Sequence, residues 1–284
     1  MSIDTSTDSE SGLFADEELL ESGSRRRLLR GTVGTAVFLL IWQVAAMPVP
    51  TYLLPTPLEV AQAFIVELTA PATFTVPLLG AEFTLTRMLV SLTDSLYHYI
   101  PGLFVGGAAG IATGIALGWS ELLDDAITPV QRVLRPIPPL AWIAFAIVWL
   151  GVNHQGAAFI VGIGAFWINF YNAYAGVKGV PQSTKEVAAS LGVDNDLTMI
   201  RKVIVPRASP EIMTGIRTSI GQSWMIVVAA ELFGAPGVGF QIINAAQNLA
   251  LDVSVAYMFV ISIVFLISDG IFQRVESRVL VWRE

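Results

Sequence analysis

Residues 178–207 read Lys-Gly-Val-Pro-Gln-Ser-Thr-Lys-Glu-Val-Ala-Ala-Ser-Leu-Gly-Val-Asp-Asn-Asp-Leu-Thr-Met-Ile-Arg-Lys-Val-Ile-Val-Pro-Arg, a polar island between long apolar runs. Pro181 followed by Gln182, Ser183 and Thr184 predicts a helix start. Glu186-Val-Ala-Ala-Ser-Leu-Gly192 predicts a short helix closed by a glycine, the residue that accepts a left-handed cap. Leu197, Ile200, Val203 and Ile204 then recur at helical spacing beside Arg201 and Lys202, which predicts a second short amphipathic helix. Pro206 and Pro210 are expected to stop it, because proline disfavours helical geometry in the residue before it. Two short helices meeting at a glycine make a compact, water-facing knob, and such a knob suits docking by a soluble partner.

The flanking runs set the fold class. The chain has 284 residues, 54% hydrophobic and only 14% charged, with mean hydropathy +0.65. Soluble domains carry about 25% charged residues. The contrast predicts an all-α polytopic membrane protein with about six transmembrane helices and both termini cytoplasmic. There are no cysteines, which excludes a disulfide framework and a thiolate metal site. The net charge of -7 argues against a nucleic-acid partner, and an acidic balance with 13 Arg and 3 Lys suits a salt-rich cytoplasm.

Residues 1–30 are rich in Asp, Glu, Ser and Thr and end in Arg25, Arg26, Arg27 and Arg30. They read as an acidic, disordered cytoplasmic tail. A signal peptide would lead with positive charge, and here acid leads. Residues 31–284 form the transmembrane domain, with the docking region at 178–210. The spans are expected at 31–47, 99–119, 136–151, 157–177, 211–233 and 253–272. Residues 55–64 read as a proline-started amphipathic helix at the interface, and 83–97 as a second. Glu121, Asp124 and Asp125 read as a polar loop, residues 152–156 as a tight turn carrying His154, and 234–252 as a loop. Gly106, Gly110, Gly114 and Gly118 fall every four residues, which predicts close packing against another span, with a pore-lining stripe as the alternative.

Charge supports this topology. With six spans and the N-terminus inside, fifteen of the sixteen Lys and Arg residues fall on the cytoplasmic side, and only Arg87 falls outside. Positive charge marks the inside face.

At this point the residues carry a resemblance. Glu186-Val-Ala-Ala-Ser-Leu-Gly192 followed by Val203-Ile-Val-Pro206 resembles the Glu-Ala-Ala loop of ABC-importer permeases. Leu54-Pro-Thr-Pro-Leu-Glu-Val60, Leu134-Arg-Pro-Ile-Pro-Pro-Leu-Ala-Trp142, Ile147-Val-Trp-Leu-Gly151, Asn172-Ala-Tyr-Ala-Gly-Val177 and Val228-Ala-Ala-Glu231 resemble, in order, the branch that imports nitrate, sulfonates, taurine and related solutes. Three departures stand out. Val187 replaces the first alanine. Ten residues rather than nine separate Gly192 from Val203. Residues 72–95 look longer than usual.

The resemblance implies a transport subunit of the cell membrane whose chemistry is done elsewhere. The chain has no Gly-x-x-x-x-Gly-Lys-Ser/Thr loop, so ATP and Mg would bind a partner ATPase subunit, and this chain would hold no cofactor, metal or catalytic residue. Glu186, Ala188 and Ala189 would dock in that partner, Gly192 would allow the turn, and Pro206 would set the exit into the fifth span. Two permease copies, a homodimer by default, and an extracytoplasmic solute-binding protein complete the expected assembly. Nitrate, sulfonate, taurine, bicarbonate, tungstate and a pyrimidine remain open as solutes.

Polar residues within spans are costly and mark candidate path positions. These are Asn169, Asn172, Gln222, Ser223 and Glu231, with interhelical hydrogen bonding the competing reading for the amides and a snorkelling carboxylate for Glu231. A secondary transporter would more often show an internal repeat and ionisable mid-span residues. A membrane enzyme would want clustered acids and histidines, whereas His98 and His154 read as scattered. A bound ATPase on purification separates the importer from the secondary carrier.

Overall fold

The computed structural model describes residues 29–75 and 82–279. The tail expected at 1–30 lies outside the described residues except for its last two, which begin α1 (Leu29–Ala46). There follow α2 (Pro57–Thr69), β1 (Pro71–Thr75), β2 (Glu82–Thr86), α3 (Arg87–Trp119), α4 (Glu121–Leu134), a 3-10 turn (Pro139–Trp142), α5 (Ile143–Leu150) and α6 (His154–Lys178). Then come α7 (Gln182–Ser190), α8 (Asp196–Met199), a π turn (Ile200–Ile204), α9 (Val205–Glu231), α10 (Val238–Gln247) and α11 (Leu251–Val279).

The centre is α6, held between α3 and α9. Gly102, Gly106, Gly110, Gly114 and Gly118 face α6 so closely that side chains there would collide with it. A methyl group at Gly102 would sit 2.5 Å from the carbonyl oxygen of Ala158, and one at Gly114 2.5 Å from that of Phe170. The packing reading of the stripe therefore holds. Because the facing residues advance from Ala158 to Val177 as α3 advances, the two helices run parallel. The chain between them must return across the same thickness. On the other side Gly176 meets Ala208 while Gly164 meets Ile226, so α6 and α9 run antiparallel.

The returning segment is not the single span expected at 136–151. It is α4 and the Pro139–Leu150 segment, bent by 85° at the break between them. Pro136, Pro138 and Pro139 remove amide donors and block a continuous helix there. The eight residues of α5 reach only about 12 Å at 1.5 Å per residue, short of the ~30 Å hydrocarbon layer. Among the described residues, four helices (α1, α3, α6, α11) are long and apolar enough to cross a membrane, and five spans result if the bent pair counts as one. With 27 residues α9 is long enough, but it is not in that set.

Several local expectations are corrected. The chain is not purely helical, because β1 and β2 pair antiparallel, Pro71 opposite Thr86 and Thr75 opposite Glu82. Thr73, Phe74, Phe83 and Thr84 suit a strand better than an interfacial helix. The helix expected at 83–97 thus splits into β2 and the first turns of α3, which runs unbroken through Pro101. The polar loop after residue 119 is helical instead, since Ser120 caps α4 by accepting the Leu123 amide. Similarly, α10 lies inside the loop expected at 234–252.

The expected helix at 55–64 is present and longer. Thr56 Oγ1 accepts the Glu59 amide, and the Glu59 carboxylate returns to the Thr56 amide at 2.7 Å, a reciprocal capping box. Hydrogen bonds from Thr51 and then Thr56 hold the Glu59 carboxyl below its ordinary value. A depressed carboxylate stabilises the fold fully above about pH 4.5 and loses that contribution as pH falls through its lowered value. Thr56→Ala should cost about 1 kcal/mol, read as a lower unfolding midpoint near neutral pH, and its effect should shrink in acid.

Candidate functional site

The knob is built from its buried side outward. Ala188 of α7 packs in one cluster with Ala173 and Val177 near the end of α6, Val180 just beyond it, Met199 and Ile204 below, and Ala208 and Ile212 of α9. Trp119 at the end of α3 closes this cluster, and Lys185 lies over its ring. Ala188 therefore faces the chain's own core, a correction to its expected place on the docking face. Its neighbours point away: Glu186, Val187 and Ala189 are exposed, and Leu191 is 80% exposed. A rigid base thus carries a bare outer rim, with two apolar side chains, Val187 and Leu191, held in water.

The rim ends as the sequence predicts. Gly192 has φ +86°, and the Val193 amide bonds the Ala188 carbonyl while the Gly192 amide bonds that of Ala189. This is a Schellman closure, and it needs a residue that is at ease at positive φ. Beyond it the chain stays helical through Pro206 and Pro210, so neither proline stops a helix. Pro206 lies just after a π turn, inside a helical run that continues from Asp196 to Glu231. Ahead of it the Val205 amide reaches back five residues to Ile200, a π turn. A π turn holds one more residue than an α turn. Ile204, within this turn, is fully buried in the core.

The five path candidates are not gathered at one cavity. Asn169 is buried against Gly107 of α3, its amide bonding the Ala165 carbonyl and its Oδ1 left without a partner. Asn172 is half-buried beside Gly215, bonding the Ile168 carbonyl. The two asparagines therefore cap carbonyls of their own helix rather than bridging helices. Ser223 is fully buried with an unpartnered hydroxyl. Gln222 is exposed and lines a groove of about 650 Å³ between α9 and α11, together with Arg217, Ser262 and Asp269.

Glu231 lies elsewhere, and it does not snorkel. Its side chain is fully buried, with one oxygen 2.8 Å from His98 Nδ1 and the other accepting the Gly239 amide at 2.7 Å. Ser95 Oγ accepts the neighbouring Val238 amide. Glu231 and Ser95 thus cap the start of α10, which has no cap from its own Gly237. A Cβ on Gly237 would strike the Glu231 carboxyl, so only glycine leaves room for it. His98 Nε2 in turn lies 2.7 Å from His154 Nδ1.

The two histidines are therefore not scattered. Fifty-six residues apart in sequence, they meet because the parallel packing of α3 and α6 brings residue 98 level with residue 154. Spacing within either helix contains no sign of this. The available hint was that the chain has just two histidines, both at the same expected side of the membrane.

Comparisons agree with this architecture. Residues 106–281 match the family described as binding-protein-dependent transport system inner membrane component. The chain is 36% identical over 192 residues to a putative ABC transporter permease protein of Methanocaldococcus jannaschii, covering 67% of this chain and 72% of that one. It is 32% identical to the nitrate import permease protein of Synechocystis, over 89% of this chain and 90% of that one. The taurine transport system permease protein of Escherichia coli is 33% identical, over 88% and 89%. The fold resembles that of a chain in the inward-facing methionine ABC transporter MetNI, with TM-score 0.55 and 19% identity, covering 66% of this chain and 96% of that one. A match across more than half of the sequence, on a framework of apolar helices with the same fold, makes this protein a multi-pass membrane member of the binding-protein-dependent transport system inner membrane component family.

Proposed function

We propose that the chain is the permease subunit of an ABC importer in the plasma membrane, coupled through the α7 knob to a separate ATPase subunit. The observation that carries this reading is the knob itself. Its inner face is locked into the ends of α3, α6 and α9, while Glu186, Val187, Ala189 and Leu191 stand exposed on the rim. Force applied at the rim would pass into three long helices at once, and rigid-body tilting of packed helices is an established way to switch access. In this reading ATP and Mg bind the partner, a second copy of the permease completes the path, and an extracytoplasmic binding protein delivers the solute. The names of the nitrate and taurine relatives support a small anion or sulfonate-like solute.

Gly192→Asp and Leu191→Glu test the coupling. At φ +86°, Asp costs about 1 kcal/mol, and nothing lies within 4 Å of the new Cβ, so the permease should still fold. Co-purification of the ATPase subunit and ATP-driven uptake should both fall at least about tenfold, the effect of roughly 1.4 kcal/mol lost at the contact. Intact assembly and uptake in both variants would overturn the docking role.

A further inference from the structure

The buried Glu231–His98–His154 chain ends at a groove. His154 forms part of the wall of a cavity of about 880 Å³ between α3 and α6, which also carries Tyr97, Asn153 and Gln155 at its polar end and Trp142, Phe159 and Trp167 along its apolar length. We propose that this groove binds an organic anion with a short apolar body, that His154 Nε2 donates to the anionic head, and that loading draws one proton into the histidine pair. This rests on the importer reading and names the solute class and the group that recognises it.

Hydrogen-bond capacity makes the case. A carboxylate only accepts, and Glu231 already accepts the Gly239 amide, so His98 donates to it from Nδ1. With both rings neutral, His98 Nε2 must then accept from His154 Nδ1, and His154 presents a bare Nε2 lone pair to the groove. Adding one proton from water to that nitrogen, and passing the shared proton from His154 Nδ1 to His98 Nε2, reverses the sense of the chain. His154 is then neutral with an outward N–H donor, and His98 is an imidazolium paired with Glu231. Nothing else changes, and the charge gained is one positive unit.

The surrounding charges explain why an anion should bring that proton with it. The groups facing the pair are Glu231 from α9 and Asp94 and Tyr97 from α3, and α10 presents only amides. Two carboxylates behind an unprotonated pair would repel an anion. The added proton offsets one of them and supplies the donor together. The first turn of α6 contributes in the same sense. Asn153 caps the Gly156 amide, and the amides of His154 and Gln155 stay free of partners among the described residues at a positive helix end. The apolar length of the groove fits an aliphatic body rather than a bare inorganic ion.

Both histidines of the chain sit here, so histidine labelling reads this site alone. The full-length permease, 15N-labelled at histidine in neutral phosphatidylcholine nanodiscs, is titrated with butane-1-sulfonate. Expected is a saturable conversion of the one unprotonated outward ring nitrogen to a protonated signal, with the midpoint concentration rising about tenfold per pH unit on the alkaline side. His154→Gln should raise the midpoint by about tenfold or more, as read by intrinsic fluorescence of the apolar wall, with the His98 signals retained as proof of folding. No saturable conversion, or the same conversion with 1-butanol, overturns the site. Conversion by phosphatidylglycerol nanodiscs without the sulfonate also overturns it, by making the occupant a lipid headgroup. Retained ATPase binding and ATP-driven uptake alongside a silent titration would remove this site and leave the importer reading standing.

Discussion

Gly106→Leu should abolish the folded protein, with no cooperative unfolding transition in detergent and little material recovered from the membrane. Gly106 sits where α3 and α6 cross most closely, and its Cβ would fall inside the backbone of Gly162. Most overpacked cores relax by moving side chains, at a cost of roughly 1–3 kcal/mol. Here the obstacle is the main chain of a parallel neighbour, so the helices must part. Parting them opens the contacts of Gly102, Gly110 and Gly114 as well, because all lie on one face. The expected loss exceeds about 4 kcal/mol, the range reserved for single changes that break a core. Gly34→Leu is the matched control. Nothing lies within 4 Å of a Cβ there, on a helix whose surface is almost wholly exposed, and its unfolding midpoint should stay within about 0.5 kcal/mol of the parent.

Glu231→Ala should be the second most damaging change, at roughly 3–5 kcal/mol. It leaves His98 and the Gly239 amide buried together without their acceptor, in a site no water reaches from the surface of the chain. Glu231→Gln keeps one acceptor oxygen and should lose much less. The ordering Ala worse than Gln, measured by thermal unfolding in nanodiscs, separates a lost acceptor from a lost charge. Equal effects would mean that the charge, rather than the capping of α10, is what Glu231 contributes.

Much of the knob was legible in sequence because its determinants are local. A proline at the start, alanines in the middle and a glycine at the close act over ten residues, and the structure closes α7 through Gly192 as that pattern predicts. The capping box of α2 was less plain, yet Thr56 and Glu59 at spacing three carry it. Where the reading failed, a neighbour outweighed the local signal. Pro206 and Pro210 look like stops, but a π turn and packing by Ile204, Ala208 and Ile212 keep the helix running. The Asp-rich stretch after residue 120 looks like a loop, but Ser120 caps it and Tyr174 and Lys178 of α6 bind Asp124. Ala188 and Ala189 are adjacent in sequence and chemically identical, and only the core beneath α7 decides that one is buried and the other bare.

By itself, the sequence determined that this is a membrane protein built of apolar helices, where its polar knob lies, and that glycines recur along one helix face. These follow from composition and from periods of four residues or fewer, which any stretch of chain carries within itself. The tertiary structure alone decided that α3 and α6 run parallel, that the segment between them bends back on itself, and that Glu231, His98 and His154 share one chain of hydrogen bonds. Such facts depend on which residues lie level when distant helices pack, and the register of two helices is a property of neither one.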